Sequence, residues 1–133
     1  MAKATGLGWT TLSVDDITGA ATVIKNDVTN LQFSTPRAAS DVTGIDKTAT
    51  ERILLLADFS LTLNGQFNGA GVHYVLRTVT SSAVTRTTSM TVNTASLNTE
   101  DLYTDYTVAR TNTGDLNWSA AASLADGTVP AWS

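Results

Sequence analysis

The sequence predicts an all-β fold, a β-sandwich or flattened barrel of about seven to eight strands with one short flanking α-helix, on three observations. Apolar residues alternate with polar ones in short segments separated by turns bearing Gly, Asp and Asn. The chain is rich in Thr and Val, whose β-branched side chains fit a pleated surface better than a helix. Only one segment carries a helical stripe. With 133 residues, 42% of them apolar, the chain reads as one domain over 1–133 with a core of its own.

Residues 9–14 form the first expected strand, closed by the turn-forming "DDITG", and 20–24 the second. In "VTNLQFSTP", Leu31 and Phe33 alternate up to Pro36, which cannot donate to a ladder and ends the third. Residues 35–48, "TPRAASDVTGIDKT", hold no period and read as a long loop, a feature that is usually functional when it interrupts a compact domain. It leads into "ERILLLADFSLTLNGQFN", where Ile53, Leu55, Ala57, Phe59, Leu61, Leu63, Gly65 and Phe67 alternate without a break. Such a strand would reach about 50 Å. Its first turn of sequence is apolar on both faces, because Leu54 and Leu56 stand among the otherwise polar residues of the other side.

The period then changes. Val72, Val75, Leu76 and Val79 fall on one helical stripe, with Asn68 placed to cap its start and Ser81 and Ser82 to end it. Period two returns with Thr88, Met90 and Val92, and again with Leu102, Thr104, Tyr106 and Val108 on one face. Leu116, Trp118 and Ala120 follow, and "TNTGD" makes a hairpin of the last two strands. The chain closes through a turn at Asp126 and Gly127 into an extended apolar end.

Composition excludes several functions. The net charge is −4, the eight Lys and Arg residues are scattered, and no basic patch is present to neutralise phosphates. The absence of cysteine removes disulfides, thiolate catalysis and the usual structural zinc sites. No apolar run approaches the ~18 residues of a membrane span, and the N-terminus lacks the apolar region of a signal peptide, so a protein made and kept in a cytoplasm is expected. The single histidine, His73, lies beside the helical stripe and has no nucleophile elbow to serve. Asp15 with Asp16, and Glu100 with Asp101 and Asp105, read as turns and solvated faces, with Asp101 and Asp105 sharing a strand face. Trp9, Trp118 and Trp132, in separate segments, read as core or interface anchors. No catalytic residue, cofactor site or metal site is expected, and the chain does not read as an enzyme.

What stands out is geometrical: an overlong strand, a long loop and tryptophan-bearing tails. Apolar surface with no cavity to line is usually met by another chain. The segments "NDVTNLQFSTPR", "DVTGIDKTATERILLLADFSLTLNGQFN", "VHYVLRTV", "LYTDYTVAR" and "GDLNWSAAASLADGTVPAW" resemble, in order and over most of the length, the major tail tube proteins of long-tailed bacteriophages of the type found in actinobacteriophages. That resemblance implies a β-sandwich with one helix, assembling as hexameric rings that stack into a hollow tube. It implies a tape-measure protein in the lumen, tail terminator and distal tail proteins at the ends, and DNA passing through without specific binding. The location would be the virion tail, after the host cytoplasm. A loop near 35–48 and extended arms at 1–8 and 129–133 would bridge subunits. Candidate interface residues are Arg37, Asp41, Val42, Ile45, Leu54, Leu56, Trp9 and Trp132. A ring of six would multiply the net charge of −4 into an acidic wall that repels DNA. The alternatives are another virion β-protein, such as a tail terminator, head decoration protein or receptor-binding tip, and a carbohydrate-binding module built on the tryptophans.

Overall fold

The computed structural model describes residues 6–133, so residues 1–5 of the expected N-terminal arm lie outside the described residues. The alternating segments become strands β1 (Trp9–Asp15), β2 (Ala21–Val23), β3 (Asn30–Ser34), β4 (Arg37–Asp41), β5 (Arg52–Ala57) and β6 (Ser60–Gln66). Helix α1 (Val72–Leu76) follows, then β7 (Arg86–Val92), β8 (Ala95–Arg110) and β9 (Leu116–Leu124). Seven strands form one antiparallel sheet in the order β2-β1-β7-β8-β9-β6-β3, and β4 pairs only with β5.

The sheet curls over on itself. A flat sheet of seven strands would hold its edges about 29 Å apart, whereas the edge strands β2 and β3 are joined by residues 24–29, which include a 3-10 turn, Lys25–Asp27. Such a link spans at most about 20 Å. The bend lies in β8, whose N-terminal half pairs with β7 and whose C-terminal half pairs with β9, sharing only Asp101. Trp132 bridges the two halves, its ring 5.8 Å from that of Phe33 in β3 and its backbone paired to Leu97 of β8. The expected sandwich is therefore one folded sheet, with Leu12, Val14, Leu61, Leu63, Met90, Leu97, Trp118 and the helix in its core.

Four expectations need correction. The 53–67 strand breaks at Asp58 and Phe59 into β5 and β6, because the Phe59 N–H turns to the Asp58 carboxylate (2.7 Å) and the Phe59 carbonyl accepts from the Leu124 N–H (3.0 Å). The 35–48 loop contains a strand, β4, which its sequence does not announce because its partner β5 supplies the pairing. In β8, a register shift between Tyr103 and Asp105 inserts an extra residue and flips the alternation. Tyr103 is buried and Leu102 exposed, while Tyr106 and Val108 return to the inner side opposite Ala120 and Trp118. For the same reason Asp101 and Asp105 do not share a face: Asp101 is fully buried and Asp105 is exposed.

The helix buries Val72, Val75 and Leu76, as its stripe predicts. Both its ends are held by buried charged residues from distant segments. At the start, Asp27 takes the capping role expected of Asn68. One carboxylate oxygen accepts the Val72 N–H (3.0 Å) and the other the Asn68 side-chain amide (3.0 Å), while the Asp27 carbonyl accepts the Trp118 indole N–H (3.0 Å). Gly65 and Gly71 make room for it, since a Cβ at either position would run into Asp27 itself. At the other end the buried Arg86 guanidinium donates to the carbonyls of Val75 (3.1 Å) and Asp15 (2.9 Å) and to the Thr78 hydroxyl (2.7 Å). Burial lowers its pKa, opposed by Tyr103, Asp16 and Asp15.

Opposite Arg86 in the β7–β8 register, Asp101 makes one hydrogen bond, from the Thr99 hydroxyl (2.8 Å), and its second oxygen has no partner. Burial raises its pKa to about 6 against the pull of the Thr99 and Thr88 hydroxyls, with Glu100 and Asp126 raising it further.

Three substitutions test these buried groups. Asp27→Ala strands buried donors of Val72 and Asn68 and should lower unfolding free energy by about 2–4 kcal/mol in chemical denaturation. Gly65→Ala should be destabilising as well, because backbone must shift to admit the methyl group. Asp101 binds its proton more tightly folded than unfolded, so its contribution is present at low pH and is lost as pH rises from about 4 to about 6. Asp101→Asn should thus gain up to about 3 kcal/mol over wild type at pH 7 and little at pH 4, read from denaturation curves at both values.

Candidate assembly surface

No group of three or more His, Cys, Asp or Glu side chains is gathered among the described residues. His73 Nδ1 lies 3.0 Å from the Tyr106 hydroxyl, and its ring packs between Phe67 (4.9 Å) and Tyr106 (5.8 Å). It is a packing residue in an aromatic stack. Asp16 is used by its own turn, accepting the Thr18 hydroxyl (2.6 Å) and the N–H groups of Thr18 and Ala20, which lower its pKa. The tryptophans form no shared platform. Trp118 is buried, Trp132 stacks on Phe33, and half-buried Trp9 packs against the core beside a cleft of about 430 Å³. The one cation lining that cleft, Lys25, has its ammonium on the Thr10 carbonyl (3.2 Å).

The surface that stands out is the β4–β5 hairpin. It follows the β3–β6 pair past the hinge, where the Asp58 N–H donates to the Pro36 carbonyl (3.0 Å). A two-stranded ribbon is marginal in water unless its apolar residues are covered. Here they are not: Ile53, Leu54, Leu55 and Leu56 are all exposed, Leu54 by 61% and Leu56 by 91%. Successive strand residues point to opposite faces, so both faces of the arm are apolar.

Local hydrogen bonds give the arm its shape. The Arg37 Nε donates to the Leu55 carbonyl (2.7 Å) across a register shift, so the guanidinium supports the backbone of β5. Asp41 accepts the N–H (3.0 Å) and hydroxyl (2.6 Å) of Thr43, which lower its pKa, and the Thr43 hydroxyl accepts the Glu51 N–H (2.8 Å). Beyond them Val42 and Ile45 are exposed.

Six of the eight candidate interface residues, Arg37, Asp41, Val42, Ile45, Leu54 and Leu56, are therefore brought together on one arm. Trp9 and Trp132 lie elsewhere, on the body. Ile53 and Leu55 belong to the arm but not to the sequence-derived set. Their alternation runs in phase with Phe59, Leu61 and Leu63, which are core, and only the hinge at Asp58 separates them. Full burial of each large aliphatic side chain is worth about 1.5–3 kcal/mol, so covering four of them would be strongly favourable before association costs are subtracted.

No family model and no curated protein matches the chain. Solved structures share its fold, among them two from gene transfer agent particles. A chain from the tail of an empty gene transfer agent particle, refined helically with C6 symmetry, superposes with a TM-score of 0.78 at 19% identity, covering 99% of this chain and 98% of that one. A chain from the virion of a native gene transfer agent particle gives 0.77 at 16% identity, covering 99% of each. The likeness spans the whole chain and establishes a common fold.

Proposed function

We propose that this protein is the structural subunit of a phage-like tail tube, assembling as hexameric rings that stack around a hollow channel for DNA. The observation that carries this reading is the arm: an ordered ribbon, apolar on both faces, with none of its residues buried. An arm of one copy seated on a different patch of the next is a heterologous contact, which closes into a ring when the rotation per copy divides the circle. The C6 symmetry in the description of the solved tail supports six. The length of the match supports a whole subunit rather than a grafted module. A tape-measure protein in the lumen, terminator and distal proteins at the ends, and a place in the virion tail after the host cytoplasm belong to the same proposal.

In this scheme the body folds first as a stable unit and the arm is covered on assembly. Leu54→Asp with Leu56→Asp should leave the monomer's unfolding midpoint nearly unchanged, because neither side chain is in the core. The same double variant should form no rings or tubes in negative-stain electron microscopy, where the wild type does. Wild-type levels of polymer from the variant would remove the arm from the interface, and isolated trimers or capped ends from the wild type would favour a different virion component.

A further inference from the structure

Trp132 belongs to none of the nine strands, yet its contacts lead to the root of the arm. After β9 the chain runs back along β8. Residues 95–100 of β8 pair with β7 on one side, whereas β9 joins on the other side only from Asp101 onwards. The stretch 125–133 covers the edge left over. The Ala125 N–H donates to the Glu100 carbonyl (3.0 Å), and Ser96 and Ser133 exchange both backbone hydrogen bonds (3.2 and 3.0 Å), with Leu97 and Trp132 paired beside them. Covering an unpaired edge accounts for such a strap. It does not account for where the strap places its tryptophan.

Trp132 keeps 48% of its surface in solvent, so it does not plug the core. Its ring lies 5.8 Å from that of Phe33, and Phe33 lies 6.0 Å from Phe59, both separations at which tilted aromatic rings attract. Phe33 stands just before Pro36 and Phe59 directly after Asp58, so these two rings sit where the chain leaves the body for the arm and where it returns. The strap also starts at this point, since the Leu124 N–H donates to the Phe59 carbonyl (3.0 Å). Both ends therefore grip the hinge. Leu124 holds the backbone of Phe59, and Trp132 holds the ring that packs on its side chain.

None of the residues of β4 and β5 is buried, so the angle of the ribbon to the body is set at its root rather than along its length. A ribbon free to swing must be ordered on docking, and that ordering cost weakens association. Resting on the reading of the arm as an assembly contact, we infer that the strap 125–133 is an internal brace, in which Trp132 positions the arm through Phe33 and Phe59. Trp132 then acts on assembly from within its own chain, without crossing to a neighbouring copy.

The arm's orientation is measurable in the unassembled subunit. The chain has no cysteine, so nitroxide labels on Lys47→Cys near the arm's tip and Asn112→Cys in the β8–β9 turn report a single distance by pulsed electron paramagnetic resonance. Its distribution should be narrow in the labelled parent, broaden with Trp132→Ala, and stay narrow with Trp132→Phe, which keeps a ring on Phe33. Equal widths in the parent and a folded Trp132→Ala subunit overturn the positioning role. Where Trp132→Ala does not fold, a second pair of substitutions decides. Hydrogen-bonded antiparallel partners lie about 5.5 Å apart, within reach of a disulfide, so Ser96→Cys with Ser133→Cys can be oxidised to lock the strap in place. Locked subunits should form tubes at the level of their reduced form. Loss of tubes on locking, with recovery on reduction, means that the strap has to leave its own chain and overturns the brace. Absence of tubes from the wild-type protein counts against the assembly reading instead, and the distance measured on single subunits still decides whether Trp132 holds the arm.

Discussion

The fold depends on the way Asp27 ties the link between the sheet's two edges to the middle of the molecule. Its carboxylate starts the helix and its carbonyl holds the indole of Trp118 in β9, so one residue fixes the edge-to-edge connection, the helix and a central strand together. The approach is close enough that Gly65 and Gly71 are required beside it. Arg86 does the corresponding task at the helix's far end, tying it to the end of β1 and to the turn after α1. A helix of five residues has no stability of its own. Two buried charges and an apolar stripe make it part of the core.

Period-two patterning made most of this architecture legible, since inward side chains such as Leu61, Leu63, Met90 and Trp118 alternate along their strands. It failed where the backbone departs from regular pleating. At the β8 bulge one extra residue exchanges Leu102 for Tyr103 in the core, and no residue type near Thr104 signals it. At Asp58 the hydrophobic rhythm continues in phase while its meaning changes from core to exposed arm. Long-range caps are equally silent in sequence. Asp27 and Val72 are 45 residues apart, whereas Asn68 occupies the position that local rules favour.

The candidate surface was legible for a related reason. Leu54 and Leu56 break the polar face of an alternating segment, and a leucine that cannot be inward on either phase has to be covered from outside or left in water. The sparsely charged outer face of β3, β6, β9 and the C-terminal half of β8 was not legible, because it is assembled from alternate residues of four strands and exists only in their register.

Arm and body thus carry opposite surface chemistries for one structural reason. A sheet that folds over itself has one covered side and one open side, and an open side made of hydroxyls and amides is soluble without being adhesive. Beyond the Pro36–Asp58 hinge, the adjacent side chains Ile53, Leu54, Leu55 and Leu56 are exposed together and take no part in the core of the body. Within the arm, Arg37 and Asp41 shape the backbone through their hydrogen bonds. Because the arm follows directly on β3 and β6, covering it by a neighbouring copy would also fix the orientation of the open face.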